Sequence, residues 1–222
     1  MTVHHPHIEN EFAGLPVDRP VNRRWVNVIT GGHVSAVVWG PGAPEVVLLH
    51  DAGASARSWD AVLAALDHPA AALDLPGHGR SNGEPADVDS PVRAARPVVE
   101  AIRSFAPRHR AIAGSGLGAL VALAAAERAP AAVHRLLLVD TLPDPSADER
   151  LWAVLAGRSE PPVLIRAQYG DTSDDAVSRF RREVPAAVVV TVGGAGHDIA
   201  TDRPEALAGA IAAQLTDEEP TG

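Results

Sequence analysis

Gly114-Ser115-Gly116-Leu117-Gly118 sits inside HRAIAGSGLGALVALAAAERA (109–129), between a short apolar run and a stretch with helical periodicity. It therefore reads as strand, sharp turn and helix. A turn of this kind either cradles a phosphate with backbone N–H groups at a helix N-terminus or presents one residue at its tip for chemistry. In the first case Gly114-x-Gly116-x-x-Ala119 satisfies the dinucleotide fingerprint, with Asp140, 21 residues beyond Ala119, placed to bind a ribose hydroxyl. That fingerprint normally opens the first βαβ unit of its domain, whereas four strand-like runs precede it here. In the second case the turn contains a single hydroxyl, on Ser115.

Composition removes several other chemistries. The chain of 222 residues has no cysteine, so thiolate catalysis, disulfides and Cys-ligated metal sites are excluded. All 19 basic residues are Arg, which removes Schiff-base lysines and the lysine of a P-loop. A net charge of −9 argues against nucleic-acid or anionic-membrane surfaces. MTVHHPHIEN has no signal-peptide pattern and no apolar run is long enough to span a bilayer, so a cytoplasmic location is expected. His4, His5 and His7 have the composition of a metal-binding cluster, but a polar tail is the simpler reading.

The elements that must hold the turn alternate. Strands are predicted at 23–29, 33–39, 45–50, 70–75, 110–114, 134–140, 162–168 and 186–192. Helices are predicted at SWDAVLAALD, PVRAARPVVEAIRSFA, LGALVALAAAERA, SDDAVSRFRREV and RPEALAGAIAAQL. This order predicts an α/β fold, an eight-stranded, mostly parallel sheet with helices on both faces. Gly31-Gly32 predicts an antiparallel hairpin at its start, and Pro97 a kink or restart in the second helix. We expect one domain over 23–216, flanked by tails 1–22 and 217–222.

Three further segments carry a resemblance. LLHDAGASARSWDAVLAAL (48–66), DLPGHGRS (74–81) and GGAGHD (193–198) occur in the order and at the intervals found in the α/β-hydrolase superfamily. Together with the fifth-strand turn they cover about residues 24–215. The resemblance implies a triad of nucleophile, acid and histidine, with the nucleophile at the centre of G-x-S-x-G. Here the central residue is Gly116, flanked by Gly114 and Gly118 where strand and helix must pass closely. Taking Ser115 as nucleophile shifts the frame and puts Leu117 at a position that needs a small residue.

By the same resemblance the histidine is His197 and the acid, following the next-to-last strand, is Asp171. Asp140 is the alternative acid. The oxyanion donors are the N–H groups of Ala52 and Leu117, while His50 organises its loop and His78 belongs to turn architecture. The family usually has Gly after the first-loop histidine, but this chain has Asp51. A carboxylate there either opposes charge developing at the oxyanion site or turns outward to cap the next helix. Residues 141–160 leave room for one helix where many relatives insert a lid, so the pocket is expected to be open or covered by a partner. Trp152 and Leu155 either roof it or pack in the core.

Glycine has no atom to attack with, so an ordinary acyl-enzyme is disfavoured. The expectation is an enzyme acting on a small organic molecule without metal or organic cofactor. His197 and Asp171 act as the base, Asp51 is a second acid/base group, and the reaction is hydrolysis, elimination or cyclisation. Alternatives are a non-catalytic binding relative, a dinucleotide-binding protein, and a serine esterase whose residue 116 has been changed from Ser. A glycine that contributes no side chain further implies that Gly116→Ala leaves turnover largely intact.

Overall fold

The computed structural model describes residues 11–12, 15, 19–83, 90–144 and 149–216. Its strands are β1 (Val21–Asn27), β2 (His33–Trp39), β3 (Val46–Leu49), β4 (Ala70–Leu73), β5 (Ala111–Ser115), β6 (Arg135–Val139), β7 (Val163–Tyr169) and β8 (Val188–Gly196). They form one eight-stranded sheet in the order β1-β2-β4-β3-β5-β6-β7-β8. β2 runs antiparallel to both β1 and β4, and the pairs from β4 through β8 are parallel. The Gly31-Gly32 hairpin and the parallel body are both as expected.

Strands β3 to β6 are almost wholly buried and apolar, as strands covered on both faces must be. Their side chains alternate between two cores. On one side α2 (Pro91–Phe105), α3 (Leu117–Arg128), α4 (Glu149–Ala156) and α5 (Asp174–Glu183) pack on Val47, Leu49, Ile112, Leu136 and Leu138. On the other, α1 (Asp60–Ala65), the short α6 (Ile199–Asp202) and α7 (Pro204–Ala212) cover Val46, Leu48, Ala113, Leu137 and Val139. Trp152 and Leu155 of α4 are fully buried in the first core, and Trp152 Nε1 donates to the carbonyl of Pro143, so both residues pack rather than roof a pocket.

Of the two outcomes expected at Pro97, the restart is corrected: α2 continues through it as one helix from Pro91 to Phe105. Its start is well made, with Ser90 capping the N–H of Arg93 and Pro91 in the first turn, and the Pro97 ring is buried on the core side. The predicted tail 1–22 also differs where the structure describes it. Arg19 donates to the carbonyls of Leu63, Ala64 and Leu66 at the end of α1, Glu11 pairs with Arg23, and Phe12 and Leu15 pack on the second core. Carbonyls at a helix C-terminus lack intrahelical partners, and a guanidinium supplies donors in a fixed fork. His4, His5 and His7, and the tail 217–222, lie outside the described residues.

Candidate active site

The carboxyl ends of β3, β5, β6 and β7 converge with the loop after β8, and His50, Asp51, Ala52, Ser115, Gly116, Leu117, Asp140, Asp171 and His197 all lie on these ends and loops. Gly116 stands between β5 and α3 with φ 51° and ψ −122°, a conformation that L side chains rarely adopt, and it caps α3. The tip of the turn is therefore Gly116. Ser115 is the last residue of β5, paired with Val139, and among the described residues no hydrogen bond joins it to His197. Close approach explains the flanking glycine at 118, where a Cβ would run into the Leu49 and His50 carbonyls. The Gly116 N–H donates to Thr141 Oγ1 at 2.8 Å, and that hydroxyl donates to the Val139 carbonyl at 2.9 Å, tying the elbow to the end of β6. Nothing in the spacing of the sequence pointed to Thr141.

Asp51 neither turns outward nor stands beside the expected donors; it occupies them. Its Oδ1 accepts the N–H of Ala52 and the N–H of Leu117, each at 2.7 Å. Leu117 is the first residue of α3, so the carboxylate also lies at the positive end of that helix. A Cβ built on Gly116 would overlap both carboxylate oxygens of Asp51. The carboxylate thus takes the space that a side chain at the elbow would need.

His50 fixes the loop that delivers Asp51. It is completely buried; its Nδ1 lies 2.7 Å from the Asp51 carbonyl, and its Nε2 lies 3.0 Å from the Leu75 N–H. The first contact requires a donor and the second an acceptor, so the ring is the neutral Nδ1–H tautomer. Burial lowers its pKa, the hydrogen bond to the Asp51 carbonyl works against that, and neighbouring His78 adds to the lowering. His78 itself contacts the Pro76 carbonyl and lies beside the His50 ring, in keeping with turn architecture.

In the loop after β8, the histidine has a different first partner from the one expected. His197 Nδ1 is 3.0 Å from Asp140 Oδ2 and 3.6 Å from Asp171 Oδ2. The Asp140 side chain is 0% exposed and that of Asp171 is 82% exposed. The hydrogen-bonded acid is thus Asp140, the alternative, with Asp171 as an outer charge. The physical reason is local. Asp140 takes a positive φ of 42° at the end of β6, tolerated by Asp better than by most residues. Its carboxylate is held by the N–H of Ala167 and the N–H of Asp171. Gly170 lets that loop close over it, since a Cβ there would collide with Oδ2. An Asp140 committed to these three partners is not placed to read a ribose hydroxyl.

Burial by itself would lower the pKa of His197. The hydrogen bond to Asp140, with the negative charges of Asp171, Asp140 and Asp51, outweighs it and holds the imidazole above its ordinary value. With Nδ1 taken by Asp140, Nε2 is the ring atom left for proton transfer, and no hydrogen bond reaches it among the described residues. Asp51 and His197 are half-buried and Ala52 and Gly53 are exposed, so the site meets solvent directly. Among the described residues no cluster of His, Asp and Glu is arranged to hold a metal, and no helix is long and apolar enough to cross a membrane.

Residues 46–170 match the sequence model of the alpha/beta hydrolase family. The chain is 39% identical over 118 residues to the esterase Rv0045c of Mycobacterium tuberculosis, a match covering 53% of this chain and 40% of that protein. It is 32% identical over 152 residues to a pimeloyl-(acyl-carrier protein) methyl ester esterase of Edwardsiella ictaluri, covering 66% of this chain and 55% of the relative. The matches thus span about half the length of these curated relatives. A solved structure of the Mycobacterium tuberculosis esterase superposes with a TM-score of 0.80 at 24% identity, over 93% of this chain and 95% of that one.

Proposed function

The chain belongs to the alpha/beta hydrolase family, and from that premise we propose that it hydrolyses a small organic substrate without a serine nucleophile, with His197 as the base and Asp140 as the carboxylate that orients it. The observation that carries this reading is the 3.0 Å hydrogen bond from His197 Nδ1 to a fully buried Asp140, at the same sheet edge as an elbow whose tip has no side chain. A buried carboxylate on Nδ1 selects the tautomer in which Nε2 accepts a proton, and it stabilises the imidazolium formed when water is deprotonated. The same base would serve an elimination or a cyclisation; the family and its esterase relatives favour hydrolysis.

The test is a substrate screen over aryl esters, methyl esters and alkyl electrophiles, followed by His197→Ala on whatever is turned over. Loss of a positioned general base is expected to lower kcat by about 10²–10⁴-fold. Unchanged turnover in the variant would remove His197 from the reaction and with it this reading. One observation favours a second reading, a binding protein built on the same fold: Asp51 sits on the two N–H groups that an acyl substrate would need. That reading requires His197→Ala to leave the cellular role of the protein intact.

A further inference from the structure

We infer that Asp51 is itself the nucleophile, a carboxylate delivered from the β3 loop into the elbow and suited to a substrate with an electrophilic sp3 carbon, such as an epoxide or an alkyl halide. The inference rests on the proposed role of His197 for its second step.

Three observations carry it. The carboxylate lies where the side chain of an elbow residue would lie, so it occupies the position from which a nucleophile at this turn attacks. Its two oxygens are inequivalent: Oδ1 holds both N–H donors, while Oδ2 has no hydrogen-bond partner among the described residues and the side chain is partly open to solvent. Lastly, His197 lies close enough to sense the charge of Asp51.

The occupied donors also select the substrate class. Hydrolysis of an acyl ester by direct attack needs the N–H groups of Ala52 and Leu117 on the substrate's own oxygen, and here they are taken. Attack on an alkyl carbon needs no such donors on the substrate. Oδ2 forms a bond to that carbon as the carbon–leaving-group bond breaks, and the electron pair departs on halide or on the ring oxygen of an epoxide, which then takes a proton from solvent. Asp51 is now an alkyl ester whose carbonyl oxygen is Oδ1, already between its two donors. His197 removes a proton from water, the hydroxide adds to Cγ, and the oxyanion develops on Oδ1 without any donor having to move. Collapse breaks the Cγ–Oδ2 bond, the alcohol leaves with Oδ2 and the proton from His197, and the carboxylate returns carrying one oxygen from water. The sum is R–X plus water giving R–OH plus HX, or epoxide plus water giving a diol.

The test uses 1,2-epoxyhexane as probe. The full chain carrying His197→Ala is incubated with it and digested, and the peptide containing Asp51 is weighed. Expected is the added mass of one epoxide on that peptide in the His197→Ala chain, and none on it in the Asp51→Asn chain. A second measurement guards against misfolding of the variants: the unaltered protein is mixed with less than one equivalent of epoxide in heavy-oxygen water. Heavy oxygen is then expected in Asp51 and not in the diol. Heavy oxygen in the first-turnover diol and none in Asp51 overturns the inference, as does a His197→Ala chain that has lost hydrolysis yet carries no adduct on Asp51; in that second case the base reading still stands. Labelling of Asp51 with hydrolysis indifferent to His197 has the opposite meaning: the nucleophile holds and the base assignment fails.

Discussion

The Asp51 carboxylate and the missing side chain of Gly116 are complementary: the first fills the volume the second leaves. Expectations for position 116 change accordingly. A glycine contributing no side chain suggested that alanine there would be tolerated, but a Cβ at this φ is strained by about 1–3 kcal/mol and also collides with Asp51. Gly116→Ala is therefore expected to displace the carboxylate from the N–H groups of Ala52 and Leu117 and to lower kcat by at least ~10²-fold, the scale of losing preorganised donors in such a site. Activity within twofold of the parent would show that Asp51 is not held where catalysis needs it.

The same complementarity bears on an elbow serine. Gly116→Ser alone is expected to give no esterase, because Asp51 still holds both donors and crowds the new hydroxyl. Gly116→Ser combined with Asp51→Gly restores the residue types of the family pattern at both positions. The double variant is expected to hydrolyse p-nitrophenyl acetate measurably faster than either single variant, with release of p-nitrophenolate as the readout. If Gly116→Ser alone matched the double variant, Asp51 would be shown to swing aside freely.

Asp140 and Asp171 separate by burial. Asp140→Asn replaces an acceptor of the Ala167 and Asp171 N–H groups and of His197 by an amide, which can present its own N–H to the ring and select the wrong tautomer. A loss in kcat of about 10²–10⁴-fold is expected. Asp171→Asn, at an 82% exposed side chain 3.6 Å from the ring, is expected to cost no more than a few-fold because solvent screens the pair. Steady-state kinetics of the two variants on one substrate distinguish these roles, and the reverse ranking would reinstate Asp171.

How much of this was legible in the sequence differs by residue. The alternation of apolar runs carried the sheet, since strands such as Val46–Leu49 and Leu136–Val139 are buried on both faces and read as uninterrupted apolar stretches. His197 and the frame around Gly116 were legible through a family pattern. The choice between Asp140 and Asp171 was not, because both project from the carboxyl edge of the sheet. A positive φ at Asp140 and a glycine at 170 decide it, and neither is periodic. The inward turn of Asp51 was equally hidden: its two N–H partners come from the β3 loop, at Ala52, and the start of α3, at Leu117, and only their convergence in space makes them a cradle. At Pro97 the helix does not restart, because tertiary burial of α2 along the sheet outweighs one missing hydrogen bond.

The charges around His197 set a pH dependence. Because Asp140, Asp171 and Asp51 together hold its pKa above the ordinary value of 6.5, the ring is protonated, and useless as a base, to higher pH than usual. The acidic limb of kcat/KM is expected to have its midpoint above pH 6.5, and Asp171→Asn to move it down while leaving the plateau largely unchanged. For stability the sign is the usual one for a raised histidine: the contribution is full below the unfolded-state pKa and fades as pH rises through the folded one. A pH–rate profile whose limb lies below 6.5 in the parent protein would contradict the charge arrangement.

Asp74 decides whether the β3 and β4 loops stay where the site needs them. It is fully buried at the end of β4 and accepts from Arg23 Nη1 at 2.7 Å, from the Ala56 N–H at 2.8 Å and from the Arg80 N–H at 3.0 Å. Arg23 is held in turn by Glu11 and Ser35, so one carboxylate ties the N-terminal segment, β1, β2, the turn entering α1 and the DLPGHGRS loop together. Asp74→Ala leaves a buried guanidinium and two backbone N–H groups without their acceptor, a loss of about 3–5 kcal/mol. Conservative Asp74→Asn keeps an acceptor and is expected to lose less. Urea unfolding of the two variants measures this directly, and a midpoint unchanged in Asp74→Ala would mean that water, or a shift of Glu11, replaces the carboxylate without cost.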